Sequence, residues 1–277
     1  MFIDDLISAT VVRQLGGEHP NTASSLNNLA ALYREQGKYG EAEPLYVRAL
    51  AIRERQLGGE HPNTASSLNN LAGLYGSQGK YGEAEPLYVR ALAISERQLG
   101  GEHPSTASSL NNLALLYRNQ GKYGEALSLY QRALAICEKT LGPQHPDTAK
   151  SLGNLAELYR VQEKMVQAIT YAKRSLTIHE KVLGAKHPDV AVTLSILAII
   201  YTNQNNFKQA DPLFQRALSI CMQSLGPEHP TTLKIVINYA HMLRKARRNT
   251  KAEEMEARAE AIRVKLRQEP LQTEQEG

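Results

Sequence analysis

The sequence predicts an all-α fold, a superhelical solenoid of antiparallel helix hairpins stacked one on the next. Three observations carry that expectation. The dipeptide His-Pro begins at His19, His61, His103, His145, His187 and His229, each 42 residues after the last. The text between these marks is copied, and the unit at 59–100 differs from that at 17–58 at four positions only. Within a unit, apolar residues keep helical spacing on both sides of a glycine-containing break. A hairpin of this size cannot bury its own apolar face, so neighbours must stack.

Each element follows from its residues. Pro20 suits the first turn of a helix, where its missing N–H has no partner to lose. Leu26, Leu29, Ala30 and Tyr33 then recur at i, i+3, i+4 and i+7, one stripe of a 3.6-residue helix. Gly37-Lys38-Tyr39-Gly40 interrupts the pattern, and Ala42, Leu45, Tyr46, Ala49, Leu50 and Ile52 resume it as a second helix. Pro44 and Pro86 are read as opening-turn residues of their second helices. Glu41, Glu83 and Glu125 stand where a carboxylate favours the N-terminal end of a helix dipole. Gly58-Gly59 ends the unit.

Full repeats are expected at 17–58, 59–100, 101–142, 143–184 and 185–226. A degenerate sixth follows at 227–268, where the Gly-Lys-Tyr turn becomes Arg247-Arg248-Asn249. Residues 1–16 read as half a repeat capping the first unit, and 269–277 as a disordered tail. In the C-terminal cap, Ala252, Ala259, Ile262 and Leu266 are expected to face the stack while Arg258, Arg263, Lys265 and Arg267 face water.

Composition narrows the function classes. The 277 residues are 42% hydrophobic and 22% charged, as in a folded chain. The longest apolar run, Ile196 to Tyr201, is far short of the ~18 residues that mark a membrane span. Asp4 and Asp5 stand where an export signal carries positive charge, so a cytoplasmic protein without a membrane segment is expected. Cys137 and Cys221 share one repeat position two units apart, too far for a disulfide, and are expected as free thiols. The net charge is +4, and 241–268 holds nine Lys/Arg against four Asp/Glu.

The order Leu26, Leu29, Ala30, Tyr33, then Gly37, Tyr39, Ala42, Tyr46, Ala49 resembles the tetratricopeptide repeat. In that family large residues alternate with small ones, so that paired helices approach closely. The longer 42-residue unit, with EHPNTASSLNNLAALY opening it and GKYGEAEPLYVRAL in its second helix, is similar to the repeats of kinesin light chains and their bacterial relatives. The resemblance spans 17–226 and extends, with a weaker match, to 227–268. It implies a curved array whose first helices line a concave groove. It also implies a scaffold or adaptor that binds short extended segments of partner proteins. Kinesin light chains recognise cargo peptides that carry a tryptophan among acidic residues.

On that geometry, the side of the first helix opposite the stripe is the reading surface: Ser24, Asn27, Asn28, Ala31, Arg34 and Glu35. Three of the four differences between the first two units, Ala31 to Gly73, Arg34 to Gly76 and Glu35 to Ser77, fall there. The equally polar turn Gln36-Gly37-Lys38 is unchanged. Asn28 recurs as Asn70, Asn112, Asn154 and Asn238, and an amide can serve both donors and acceptors of a peptide backbone. The resemblance implies such contacts at this position. Asn27, Asn69 and Asn111 extend the row, and Arg118 repeats Arg34. The same asparagines could instead bond neighbouring helices.

The fifth unit breaks the pattern. Val192, Ser195, Ile196 and Ile199 form its face, with Ile196 where other units carry Asn. Lys150 and Arg160 flank it on one side, and Lys234, Arg244 and Lys245 on the other. An apolar patch between cations suits a hydrophobic anchor flanked by acidic residues. A helix apolar on both sides could equally be buried on both sides.

Other chemistries are not expected. The six repeated histidines lie on the order of 10 Å apart in a stack, whereas shared metal ligands sit at about 2.0–2.1 Å from one ion. They read as structural turn residues, with no metal and no cofactor. No catalytic constellation stands out, and an enzyme site should break a repeat rather than be copied with it. Partners are expected to be proteins or peptides. Nucleic acid binding through Arg244, Lys245, Arg247, Arg248 and Lys251 is the alternative, and a homo-oligomer through open repeat ends is a third reading.

Overall fold

The computed structural model describes residues 18–268, so the readings for 1–16 and 269–277 lie outside the described residues. The chain divides into two compact units, 1–140 and 141–277. The first holds three hairpins: α1 (Pro20–Glu35) with α2 (Tyr39–Leu57), α3 (Pro62–Ser77) with α4 (Tyr81–Leu99), and α5 (Pro104–Asn119) with α6 (Tyr123–Thr140). The second holds α7 (Pro146–Val161) with α8 (Met165–Leu183), α9 (Pro188–Asn203) with α10 (Phe207–Ser224), and α11 (Pro230–Lys245) with α12 (Asn249–Gln268). Among the described residues there is no strand, and no helix is long and apolar enough to cross a membrane.

The His-Pro marks are helix starts. In each first helix the histidine is the N-cap, and its Nδ1 accepts the backbone N–H two residues on at 3.0–3.2 Å. The side chain thus satisfies one of the amide donors that a helix start leaves without a partner. Pro44 and Pro86 depart from expectation. Their helices begin at Tyr39 and Tyr81, which places both prolines in the second turn. Each forfeits one helical hydrogen bond, and its ring must clear the carbonyl of Gly40 or Gly82 four residues back.

The turns between paired helices need a left-handed residue. Gly37, Gly79 and Gly121 supply it at φ +76 to +78. In the second unit Glu163, Asn205 and Arg247 hold the same position at φ 57 to 61. The hairpin survives there without glycine because the reversal is held by its hydrogen bonds, as where Lys164 N–H donates to Tyr159 O at 2.9 Å. Between repeats, Gly58 and Gly100 take φ 93 to 95 with ψ near 155, a region essentially closed to side chains.

Packing follows the large–small alternation. In the first unit Ala30, Ala42, Tyr46, Leu71 and Leu74 form one cluster across the first two hairpins. Ala72, Ala84, Tyr88, Leu113 and Leu116 repeat it one step on. The alanines are fully buried, which lets the backbones approach and the tyrosines fill the remaining volume. On the outer surface an ion-pair ladder crosses three of the junctions inside the units: Arg90 to Glu54 at 2.7 Å and Arg132 to Glu96 at 2.6 Å in the first unit, Arg216 to Glu180 at 2.6 Å in the second. Such exposed pairs contribute little singly. The C-terminal helix carries its expected apolar face on Ala252, Ala259 and Ile262, with Leu266 half-buried. Arg263 and Lys265 face solvent, whereas Arg258 is half-buried.

Candidate functional site

Within each unit, successive first helices come within 8 Å of one another between Cα atoms at several points, and successive second helices approach less closely along their length. The first helices therefore form the tighter row, and their outward side chains share one face. In the first unit that face carries Asn28, which is exposed, and Asn70 and Asn112, which are half-buried. None of the three is sealed between helices.

The neighbouring row behaves differently. Asn27 is buried and its Nδ2 donates to Ser67 Oγ at 3.0 Å. Asn69 makes the same bond to Ser109 at 3.1 Å, and Asn111 is half-buried. For Asn27 the second of the two expected readings applies, because its amide joins one first helix to the next. Arg34 is half-buried and lies across Gly73, its Nη1 only 2.8 Å from where a Cβ would stand. The bare helix backbone is what gives it room. Arg118 is also half-buried and reaches Asn119 Oδ1 at 3.5 Å, too long for a strong bond.

A buried side chain from the second helix closes the space between first helices. Between the first two repeats it is Arg53, with Nη1 2.6 Å from Asn63 O and 3.1 Å from Ser67 Oγ, and Nη2 3.2 Å from Ser24 Oγ. Burial holds its pKa below the usual arginine range. At the next junction Ser95 sits there, its Oγ 3.3 Å from Ser109 Oγ.

In the second unit three coupled changes open this space. Gly153 replaces the stacking asparagine, Thr193 replaces its serine partner, and His179 stands where Arg53 and Ser95 stood. A cavity of about 120 Å³ results between α7 and α9. It is lined by Lys150, Asn154, Val192 and Ile196, four residues that the sequence singled out, and by Ala149, Gly153, Ser175, His179, Asp189 and Thr193, which it did not. Ala149 repeats Ala23, Ala65 and Ala107, and the other five were legible only as breaks in the copied text. Val192 is 41% exposed and Ile196 half-buried, so α9 is not covered on this side. Ile199 and Asn238 are half-buried nearby on the first-helix row without lining the cavity.

His179 closes the floor at 3% exposure. Thr193 Oγ1 donates to Asp189 O at 2.9 Å and lies 3.0 Å from His179 Nδ1. A carbonyl only accepts, so the single hydroxyl proton is committed there and Nδ1–H donates to Oγ1. This hydrogen bond places a proton on Nδ1. Burial lowers its pKa; Asp189 and the Pro146 carbonyl oppose the shift, while Lys150 and His187 add to it.

The cations around the patch divide into two groups. Arg160 is clamped by Glu157 at 3.0–3.3 Å, and Arg244 by Glu256 at 2.7–2.9 Å with Glu253 beside it. Neither offers a free charge, which corrects their expected role. Lys150 contacts Asp147 loosely at 3.6 Å. Lys234 and Lys245 are exposed and have no ion-pair partner among the described residues. Three more basic residues of the C-terminal region are also paired: Arg248 with Asp211 at 2.8 Å, Arg263 with Glu260 at 3.3 Å, and Lys265 with Glu228.

Cys137 and Cys221 are buried and form no disulfide, and burial pushes the Cys221 thiol up to about 11. Among the described residues no group of His, Cys, Asp or Glu is placed to hold a metal ion.

Comparison with known proteins agrees with this geometry. The tetratricopeptide repeat model matches six overlapping stretches, 8–55, 25–97, 69–139, 105–164, 147–223 and 194–263. Among solved structures, BtubC (BKLC) from P. vanneervenii is similar at 25% identity and a TM-score of 0.60, over 79% of this chain and 87% of that one. A Podosopora anserina kinesin light chain with nearly identical TPR-like repeats is similar at 30% identity and a TM-score of 0.56, over 74% of this chain and 98% of that one. No curated protein matches the chain in sequence. A solenoid of copied hairpins with these neighbours belongs to the tetratricopeptide repeat family, and its repeats are of the kinesin light chain type.

Proposed function

We propose that this protein is an interaction scaffold that holds a short extended segment of a partner protein against its first-helix face, seating one apolar side chain in the cavity beside Ile196. The observation that carries this reading is the cavity itself. It opens where three repeat positions change together, and Lys150, Asn154, Val192 and Ile196 all line it. A cavity of about 150 Å³ admits benzene, so ~120 Å³ suits a branched aliphatic chain or a single ring. Burying such an anchor contributes roughly 1.5–3 kcal/mol. Asn154 at the rim suits backbone amides, and Lys150, Lys234 and Lys245 favour acidic residues on either side of the anchor. The likeness to kinesin light chains supports an adaptor role of the cargo-binding kind.

The test is a fluorescence titration with acidic peptides carrying one leucine or phenylalanine. Binding is expected near micromolar Kd, about −8 kcal/mol, and should weaken with salt. Ile196→Asp combined with Asn154→Ala should abolish it while circular dichroism stays that of the parent. Unchanged affinity in that folded double mutant rejects the reading.

A further inference from the structure

The outer ion-pair ladder fails at its last rung. Arg90, Arg132 and Arg216 each meet a glutamate of the preceding second helix, Glu54, Glu96 and Glu180. Arg258 is the next arginine in that series, and the residue opposite it is Met222. Its Nη2 lies 2.8 Å from the Met222 Sδ, a weak acceptor standing where a carboxylate stands elsewhere.

Beside this rung is an open slot of about 460 Å³ on the second-helix side of the second unit, between α10 and α12. Its apolar walls are Leu218, Met222 and Met255 over the ring of Tyr239, and Lys251 sits at its edge 5.6 Å from that ring. Met222 is 38% exposed. Thioether side chains are flexible and polarisable, and adapt to different apolar surfaces. The slot thus presents a pliable apolar floor beside two cations, one of which lacks the carboxylate its equivalents have.

We infer that this slot is a docking surface for an amphipathic segment of another protein, one that sets a glutamate or aspartate next to an aliphatic side chain. The carboxylate takes the place of the missing ladder glutamate on Arg258, and the aliphatic group packs between Met222 and Met255. The surface is independent of the cavity beside Ile196 and stands on the opposite set of helices.

The probe is an amphipathic helical peptide of leucine, alanine and glutamate, compared with versions carrying glutamine or lysine in place of glutamate. The ε-methyl resonances of Met222 and Met255 report where it binds, and calorimetry reports Kd. The glutamate peptide should shift both methyls, the glutamine version should bind about fivefold more weakly, the upper end for an exposed charge pair, and the lysine version should not bind. Met222→Glu restores the ladder within the chain, so it should keep the fold and abolish binding. Arg258→Gln should erase the difference between glutamate and glutamine peptides. Ile196→Asp with Asn154→Ala should leave this binding intact, which separates it from the first-helix site. Equal binding of the glutamate and glutamine peptides, unshifted methyls, or undiminished affinity in Met222→Glu would overturn the inference.

Discussion

Gly153 is the position at which stability and recognition should move in opposite directions. It lies inside α7, where glycine costs about 0.8–1.0 kcal/mol relative to alanine. A Cβ there would meet Ser175 Oγ at 3.7 Å and Ile196 Cδ1 at 3.9 Å, ordinary contact distances that require no movement. Gly153→Ala should therefore stabilise the protein by about 1 kcal/mol, or roughly 2–4 °C in Tm for a chain near this size. Gly153→Asn goes further. Asn27 and Asn69 reach Ser67 and Ser109 at 3.0 and 3.1 Å, and an asparagine at 153 would reach Thr193 in the same way. Its helix propensity cancels much of the gain, leaving stability within about 0.5 kcal/mol of the parent, but its side chain occupies the cavity. Peptide affinity should fall slightly in the alanine variant and by at least tenfold in the asparagine variant. Thermal melts and peptide titrations on the same preparations measure both quantities. Destabilisation of Gly153→Ala by about 1 kcal/mol or more, or undiminished peptide binding in Gly153→Asn, would refute the argument that this glycine exists to open the space.

Two further outcomes follow from the second unit. Glu163 holds φ 61 in a turn where three other repeats use glycine, so Glu163→Gly should raise stability by about 0.5–1 kcal/mol in urea unfolding, the relief of left-handed strain less the added chain entropy. Asn205 tolerates this conformation better and should gain less when made glycine. Burial lowers the pKa of His179 from 6.5. The unfolded chain then takes up a proton that the folded chain does not, so this contribution is fully present above about pH 6.5 and is lost as pH falls toward the lowered folded value. Stability measured against pH in parent and His179→Gln should differ by such a slope, and parallel curves would count against the buried neutral ring.

The copied 42-residue text determined most of the fold without reference to any contact. Local rules act within a few residues: His-Pro as cap and first turn, the Leu26–Tyr33 stripe as a helix, Gly37 as a left-handed turn. Identical local rules applied at a fixed interval can only produce a stack. The apolar face of the fifth unit was legible as well, since Ile196 interrupts a row of asparagines that periodicity had already placed on one side.

What the tertiary structure decided is how adjacent polar residues divide between surface and interface. Asn27 and Asn28 are neighbours in sequence and equally polar, yet one is buried against Ser67 and the other exposed, because a helix in a stack has a neighbour on each flank and a 100° step per residue crosses that boundary. Arg160 and Arg244 read as free cations until their glutamates are found beside them. The cavity depends on Gly153, His179 and Thr193, drawn from three helices, and a space between side chains exists only once those helices have been brought together.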